Sequence, residues 1–109
     1  AFPAVQARKN DPKVNFKEYT SFAKKFPSLI HACGLAQALA FAEAKKETDY
    51  LDDLTRVVGR GSHPEIKDRE DFSQLSREQP LSGYLRLSRH ALIAAGWLKR
   101  YVEAAGEEE

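Results

Sequence analysis

From Phe16 onward, apolar residues recur at every third or fourth position, the spacing of helices rather than strands. Phe16, Tyr19, Phe22, Ala23 and Phe26 share one helical side, and Asn15 with Glu18 forms an Asn-x-x-Glu capping box at its start. Pro27 ends or kinks that helix and suits the first turn of the next, which runs from about Ser28 to Lys46, roughly 28 Å at 1.5 Å per residue. Thr48 caps a third helix, with Tyr50, Leu51, Leu54, Val57 and Val58 on one face and Asp49, Asp52 and Asp53 near its positive end. Gly59 and Gly61 stop it. Residues 59–69 then read as a polar loop, and EDFSQLSRE supplies two short turns. Pro80 or Ser82 opens the longest helix, which extends to about Ala105. The GEEE tail at 106–109 places acid at the negative helix end and is expected to fray.

No useful alternating run and no Asn-Gly or Asp-Gly hairpin turn is present. The pattern predicts an all-α protein: one compact bundle of about five or six helices over residues 1–109, with a long C-terminal helix. The chain opens at Ala1 in the helix-friendly run AFPAVQARKN, so its N-terminal helix is expected to be truncated. No internal repeat and no domain-separating linker interrupts it.

The stretch HACGLAQALAF at 31–41 is apolar on almost every side, which predicts a central helix. Glycine inside a helix costs about 1 kcal/mol against alanine, so Gly34 reads as a close-packing point that compensates this. Gln37, if buried, needs hydrogen-bond partners within the bundle or across an interface, and the bundle is the favoured place.

On the last helix Tyr84, Leu87, Ala91, Ala94, Ala95, Leu98, Tyr101 and Val102 gather on one broad core face. Arg86, Arg89, Ile93, Trp97 and Arg100 form a second stripe beside it. Two readings fit this stripe. The arginine stems cover Trp97 at the core edge, or the arginines and the indole contact phosphates and stack on bases.

A net charge of +1 excludes a general attraction to nucleic acid or membrane, so any basic footprint is a local patch. Lysine and arginine pairs stand at predicted helix ends, Lys24-Lys25, Lys45-Lys46 and Lys99-Arg100, where the helix dipole alone favours them. Cys33 is the only cysteine; it cannot form an intrachain disulfide, and a reducing, cytoplasmic setting follows most simply. No stretch is apolar enough to span a membrane, and no signal-peptide pattern opens the chain. The absence of Met and the wealth of Lys, Arg and Glu lean towards a thermophilic source.

Catalytic carriers are hard to find. His31, His63 and His90 lie on different segments, and His31 and Cys33 point about 200° apart on a helix, so no zinc site is expected. Asp49, Asp52 and Asp53 read as acids at a helix N-terminus rather than as Mg²⁺ ligands. Ser62-His63 lacks a G-x-S-x-G setting, and GRGS lacks the remainder of a P-loop. No catalytic residue, metal, cofactor or small-molecule substrate is expected.

YTSFAKKFPSLIHACGLAQALAFAEAKK followed by DYLDDL, and later YLRLSRHALIAAGWLKRYVEA, resembles the small helical subunit of type III-B CRISPR effector complexes, the Cmr type. The shared features are Lys25 to Ile30, the G-L-x-Q-x-L-A-F motif at Gly34 to Phe41, and the last-helix block Tyr84 to Arg100, within a match over about residues 19–105. The resemblance implies a non-catalytic helical bundle in antiviral defence that stacks in copies as a minor filament, with other Cmr subunits as partners. It also implies a basic face along crRNA and target RNA, with Lys24, Lys25, Lys45, Lys46, Lys99 and Arg100 as candidate contacts. Arg86, Arg89 and Trp97 join them from the helical wheel. The alternatives are a small helical nucleic-acid-binding regulator, or a metal-dependent nuclease using Asp49, Asp52 and Asp53 with His63.

Overall fold

The structure, a computed structural model, describes residues 7–11, 15–61 and 63–107. Among these every regular element is a helix and there is no strand: α1 at residues 7–10, α2 Phe16–Cys33, α3 Leu35–Ala44, α4 Thr48–Gly61, α5 Arg69–Glu78 and α6 Leu81–Glu107. At 1.5 Å per residue the 27 residues of α6 make a rod of about 40 Å, close to the 44 Å long axis of the molecule. The other helices pack along this rod. α2, α4 and α5 touch it, and α3 lies against α2, α4 and α5. The core joins Phe22, Phe26, Tyr50 and Leu54 to Phe72 of α5 and to Leu87, Ala95 and Leu98 of α6.

Asn15 caps α2 as its sequence implies, its side chain accepting from the Glu18 N–H at 3.1 Å. Pro27 does not end the helix, which continues to Cys33. Phe22, Phe26 and Ile30 sit four residues apart and are all buried, so core packing on that one face holds the helix together across the missing N–H.

The break comes instead at Gly34, with φ 85° and ψ 161°, a conformation open in practice only to glycine. Its N–H bonds the Ile30 carbonyl at 2.8 Å and its carbonyl accepts from Ala38 at 3.0 Å, so one residue closes α2 and opens α3. The predicted 28–46 helix is therefore two helices, and Gly34 is a junction rather than a packing point within one. A consequence is that the apolar stretch is not central. Leu35, Ala38, Leu39 and Ala42 face inward, while Ala32, Cys33, Gln37, Ala40 and Phe41 are exposed. Gln37 is in solvent and needs no buried partner.

α3 ends in a Schellman motif with Lys46 at the left-handed position (φ 59°): Glu47 N–H bonds Ala42 O and Lys46 N–H bonds Glu43 O, both at 3.0 Å. The Glu47 carbonyl then accepts from Leu51 N–H, which places Thr48 just inside α4 rather than at its cap. Gly59 and Gly61 belong to α4. Gly59 has a spatial reason to lack a side chain, since a Cβ there would stand 2.8 Å from the Ile66 carbonyl oxygen. EDFSQLSRE lies within one continuous helix, α5, capped by the Asp68 carboxylate on Asp71 N–H at 2.8 Å. It buries Phe72 with the small residues Ser73 and Ser76, an inward face that an apolar count does not register. The core face of α6 is as the periodicity predicts, with Leu87, Ala91, Ala94, Ala95, Leu98 and Val102 buried and Tyr84 and Tyr101 at its margins. The helix reaches Glu107; the rest of the expected frayed tail, 108–109, lies outside the described residues, as does the whole run before Ala7.

Candidate nucleic-acid interface

α2 and α3 meet at an angle fixed by Gly34, and this brings their lysines together. The Lys25 ammonium lies 5.4 Å from the Phe22 ring centroid and 5.9 Å from that of Phe41, and the Lys45 ammonium lies 5.7 Å from Phe41. Phe41, placed in the core motif by sequence, is 37% exposed and stacks on buried Phe22 at 6.4 Å with 8° between the planes. Lys24 and Lys46 are exposed neighbours of this pair. Because α2 continues to Cys33, Lys24 and Lys25 stand within the helix and not at its end; the dipole does not account for them. The same holds for Lys99 and Arg100, which lie more than a turn before the end of α6.

Beside this patch a cleft of about 350 Å³ is lined by Phe22, Lys25, Lys45, Lys17, Glu18 and Glu47 among others. Desolvation, first, and a hydrogen bond that protonated Glu47 donates to the Glu18 carboxylate push the Glu47 pKa up to about 7, while Lys25 acts in the opposite sense.

The second basic surface is the outer stripe of α6. Arg86, Arg89, Ile93, Trp97 and Arg100 are all exposed. The Arg100 guanidinium lies 5.0 Å from the Trp97 centroid and Tyr101 stacks on the same indole at 6.0 Å, yet Trp97 remains 46% exposed. The arginine therefore covers the indole in part and leaves aromatic surface open. Trp97 and Ile93 also border a shallow, mostly apolar groove of about 240 Å³ between α4 and α6. Lys99 is exposed but lies about 200° round the helix from Trp97, outside the stripe. A further cleft of about 480 Å³, which sequence reasoning did not single out, is lined by Arg56, Arg60, Lys67 and Arg69 with Asp52 and Asp68. Its cations come from α4 and from the chain around residues 67–69, a juxtaposition with no sequence spacing to reveal it.

The acids that a nuclease would need are engaged internally. Asp53 is 1% exposed and receives the Arg8 guanidinium at 3.1 and 3.2 Å and the Tyr19 hydroxyl at 2.6 Å. Arg8 also reaches Asp49 at 3.3 Å, and Arg69 holds Asp52 at 2.9 Å. These carboxylates serve as anchors for α1 and α5, and no group of three metal-capable side chains forms among the described residues. His63 meets His90 instead, Nε2 to Nδ1 at 2.7 Å, one ring donating to the other. Burial, His63, Arg86 and Arg89 lower the His90 pKa, in that order. Ser62, the sequence neighbour of His63, lies outside the described residues.

Fold and surface together define a small all-helical protein whose one buried carboxylate among the described residues, Asp53, is held by Arg8 and Tyr19, and which carries local patches of exposed cations beside aromatic rings. Residues 1–105 match the family model of the CRISPR-associated protein Cas_Cmr5, and the chain belongs to that family. It is 37% identical over 94 residues to the CRISPR system Cmr subunit Cmr5 of Thermus thermophilus, covering 84% of this chain and 77% of the relative. It also superposes on the crystal structure of a CRISPR-associated Cmr5 family protein from Thermus thermophilus with a TM-score of 0.83, at 33% identity, over 94% of this chain and 87% of the other. A thermophilic relative accords with the Met-free, charge-rich composition. Among the described residues no helix is long and apolar enough to cross a membrane.

Proposed function

We propose that this chain is the non-catalytic small subunit of a Cmr-type, RNA-guided effector complex in the cytoplasm. It stacks with copies of itself in the minor filament and touches crRNA and target RNA through a basic face. Family membership supports the subunit role. The observation that carries the RNA reading is the convergence of Lys25 of α2 and Lys45 at the α3 terminus on one exposed aromatic, Phe41. Dipole compensation explains neither Lys25 nor Arg100, so phosphate contact is the better reason for their placement.

Reversing the charge of Lys24, Lys25 and Arg100 together should weaken RNA binding by the assembled complex. The magnitude of the slope of log affinity against log salt should fall by about 2, near 0.7 for each single-strand phosphate no longer neutralised. An unchanged slope rejects the reading. The regulator alternative asks for a helix free to enter a groove, whereas α6 buries a full face along its length.

A further inference from the structure

The cation-flanked aromatic on α3 has features that phosphate contact does not require. A lysine pair suffices for a backbone, yet Phe41 is a large apolar side chain standing 37% exposed between the two ammoniums. Packing on Phe22 accounts for the covered side of the ring and leaves the rest of it in solvent, where neighbouring Ala40 and Gln37 are small or polar.

The ring is also rigidly backed. Phe41 lies parallel-displaced on buried Phe22, which meets Tyr50 edge-on at 5.4 Å and Phe26 at 5.5 Å. Exposed phenylalanines on flexible stems are poor platforms, whereas this one is the outermost member of the aromatic core, so little conformational entropy is left to lose on stacking.

We propose that Phe41 is a stacking platform for one unpaired base of a single-stranded nucleic acid, with Lys25 and Lys45 taking the phosphates on either side of that nucleotide. The proposal rests on the RNA reading above and assigns it a residue and a mode. A base laid on the outer part of the ring keeps its own phosphates within reach of two long, mobile lysine stems. The adjoining cleft of about 350 Å³ has room for the attached sugar. Polyanion attraction alone is indifferent to bases, while stacking needs a π face and accepts any base. The ligand class is thus single-stranded RNA or DNA of unrestricted sequence. A fully paired duplex is excluded because its bases are already stacked.

The test uses the full chain at low salt with an oligouridylate of about 12 nucleotides and an abasic strand of the same length and charge. Phe41→Ala should weaken oligouridylate binding about five-fold or more, the lower end of one base–aromatic stack, and leave the abasic strand within about two-fold. Phe41→Trp in a Trp97→Phe background retains a platform and supplies a lone reporter, whose fluorescence oligouridylate should quench and the abasic strand should not. If Phe41→Ala changes neither strand, or both equally, stacking is wrong. In that event a loss on Lys25→Glu with Lys45→Glu keeps the RNA reading, and no loss removes it from this face. Absence of binding by the unsubstituted chain, or a Phe41→Ala effect confined to self-association in sedimentation, overturns the proposal as well.

Discussion

The Tyr84 hydroxyl of α6 stands 3.1 Å from the point where a Cβ on Gly34 would lie. That hydroxyl accepts the otherwise unpaired N–H of Ala36 at 3.2 Å, so a side chain from the longest helix serves as the cap that Gly34 cannot provide. This contact ties the corner between α2 and α3, near which Lys25 meets Lys45, to the longest helix.

Gly34→Ala therefore faces two penalties, a positive φ and a crowded oxygen, and should lower stability by about 1–3 kcal/mol. Tyr84→Phe leaves Ala36 N–H without its acceptor and should cost about 0.5–1.5 kcal/mol. Urea unfolding midpoints measure both. A neutral Gly34→Ala would show that the junction relaxes.

Lys46 holds a left-handed backbone that glycine adopts without strain. Lys46→Gly should raise stability by about 0.5–1 kcal/mol. If Lys46 belongs to the RNA face, the same substitution reduces RNA affinity, so stability and binding move in opposite directions. A variant that gains stability and keeps full affinity removes Lys46 from the interface.

Two buried tyrosines make a contrasting pair. Tyr19 donates to the buried Asp53 carboxylate at 2.6 Å, while the Tyr50 hydroxyl lies in the core with no hydrogen-bond partner among the described residues. Burial, first, and the neighbouring Asp53 push both phenols far above their usual range. Tyr19→Phe strips a charge-assisted bond and should destabilise by about 1.5–3 kcal/mol. Tyr50→Phe removes a hydroxyl that was desolvated for nothing and should be neutral or stabilising by up to about 1 kcal/mol. Equal losses at both positions would contradict this.

Glu47 makes stability depend on pH. Its folded pKa, near 7, exceeds the unfolded value of 4.5 through desolvation and the Glu18 hydrogen bond, so the unfolded chain ionises first. Stability is lost as pH rises from about 4.5 to about 7, and the penalty is complete above that. Because the pair is largely open to solvent, screening reduces its worth to about 0.5–1 kcal/mol. Glu47→Gln should raise the thermal midpoint at pH 8 and leave it unchanged at pH 4. A gain of equal size at both pH values would point to a cause other than ionisation.

Much of this architecture is written locally. The spacing of Phe16, Tyr19, Phe22 and Phe26, the Asn15 cap, and the Leu87–Leu98 face each follow from local pattern, because burial along a helix repeats with its turn. The lysine pairs were visible as charge, and they proved to be surface residues. α5 escaped because its inward face has only Phe72 and Leu75 as large apolar residues and is completed by two serines, which only neighbouring helices turn into a core. The α2–α3 corner escaped because Pro27 and Gly34 are both breakers in isolation. Which of them breaks is decided by what is packed on either side: a continuous aromatic face across Pro27, and Tyr84 waiting at Gly34.

The sequence by itself determined the all-helical class, the Asn15 cap, the inward face of α6 and the family. Tertiary structure decided that Asp53 is buried under Arg8 and Tyr19, that His63 meets His90, and that Phe41 stands outside between Lys25 and Lys45. Periodicity reports only which side of one helix is apolar. Meetings between residues far apart in the chain, such as Ala36 with Tyr84, are set by how several such sides close on one another.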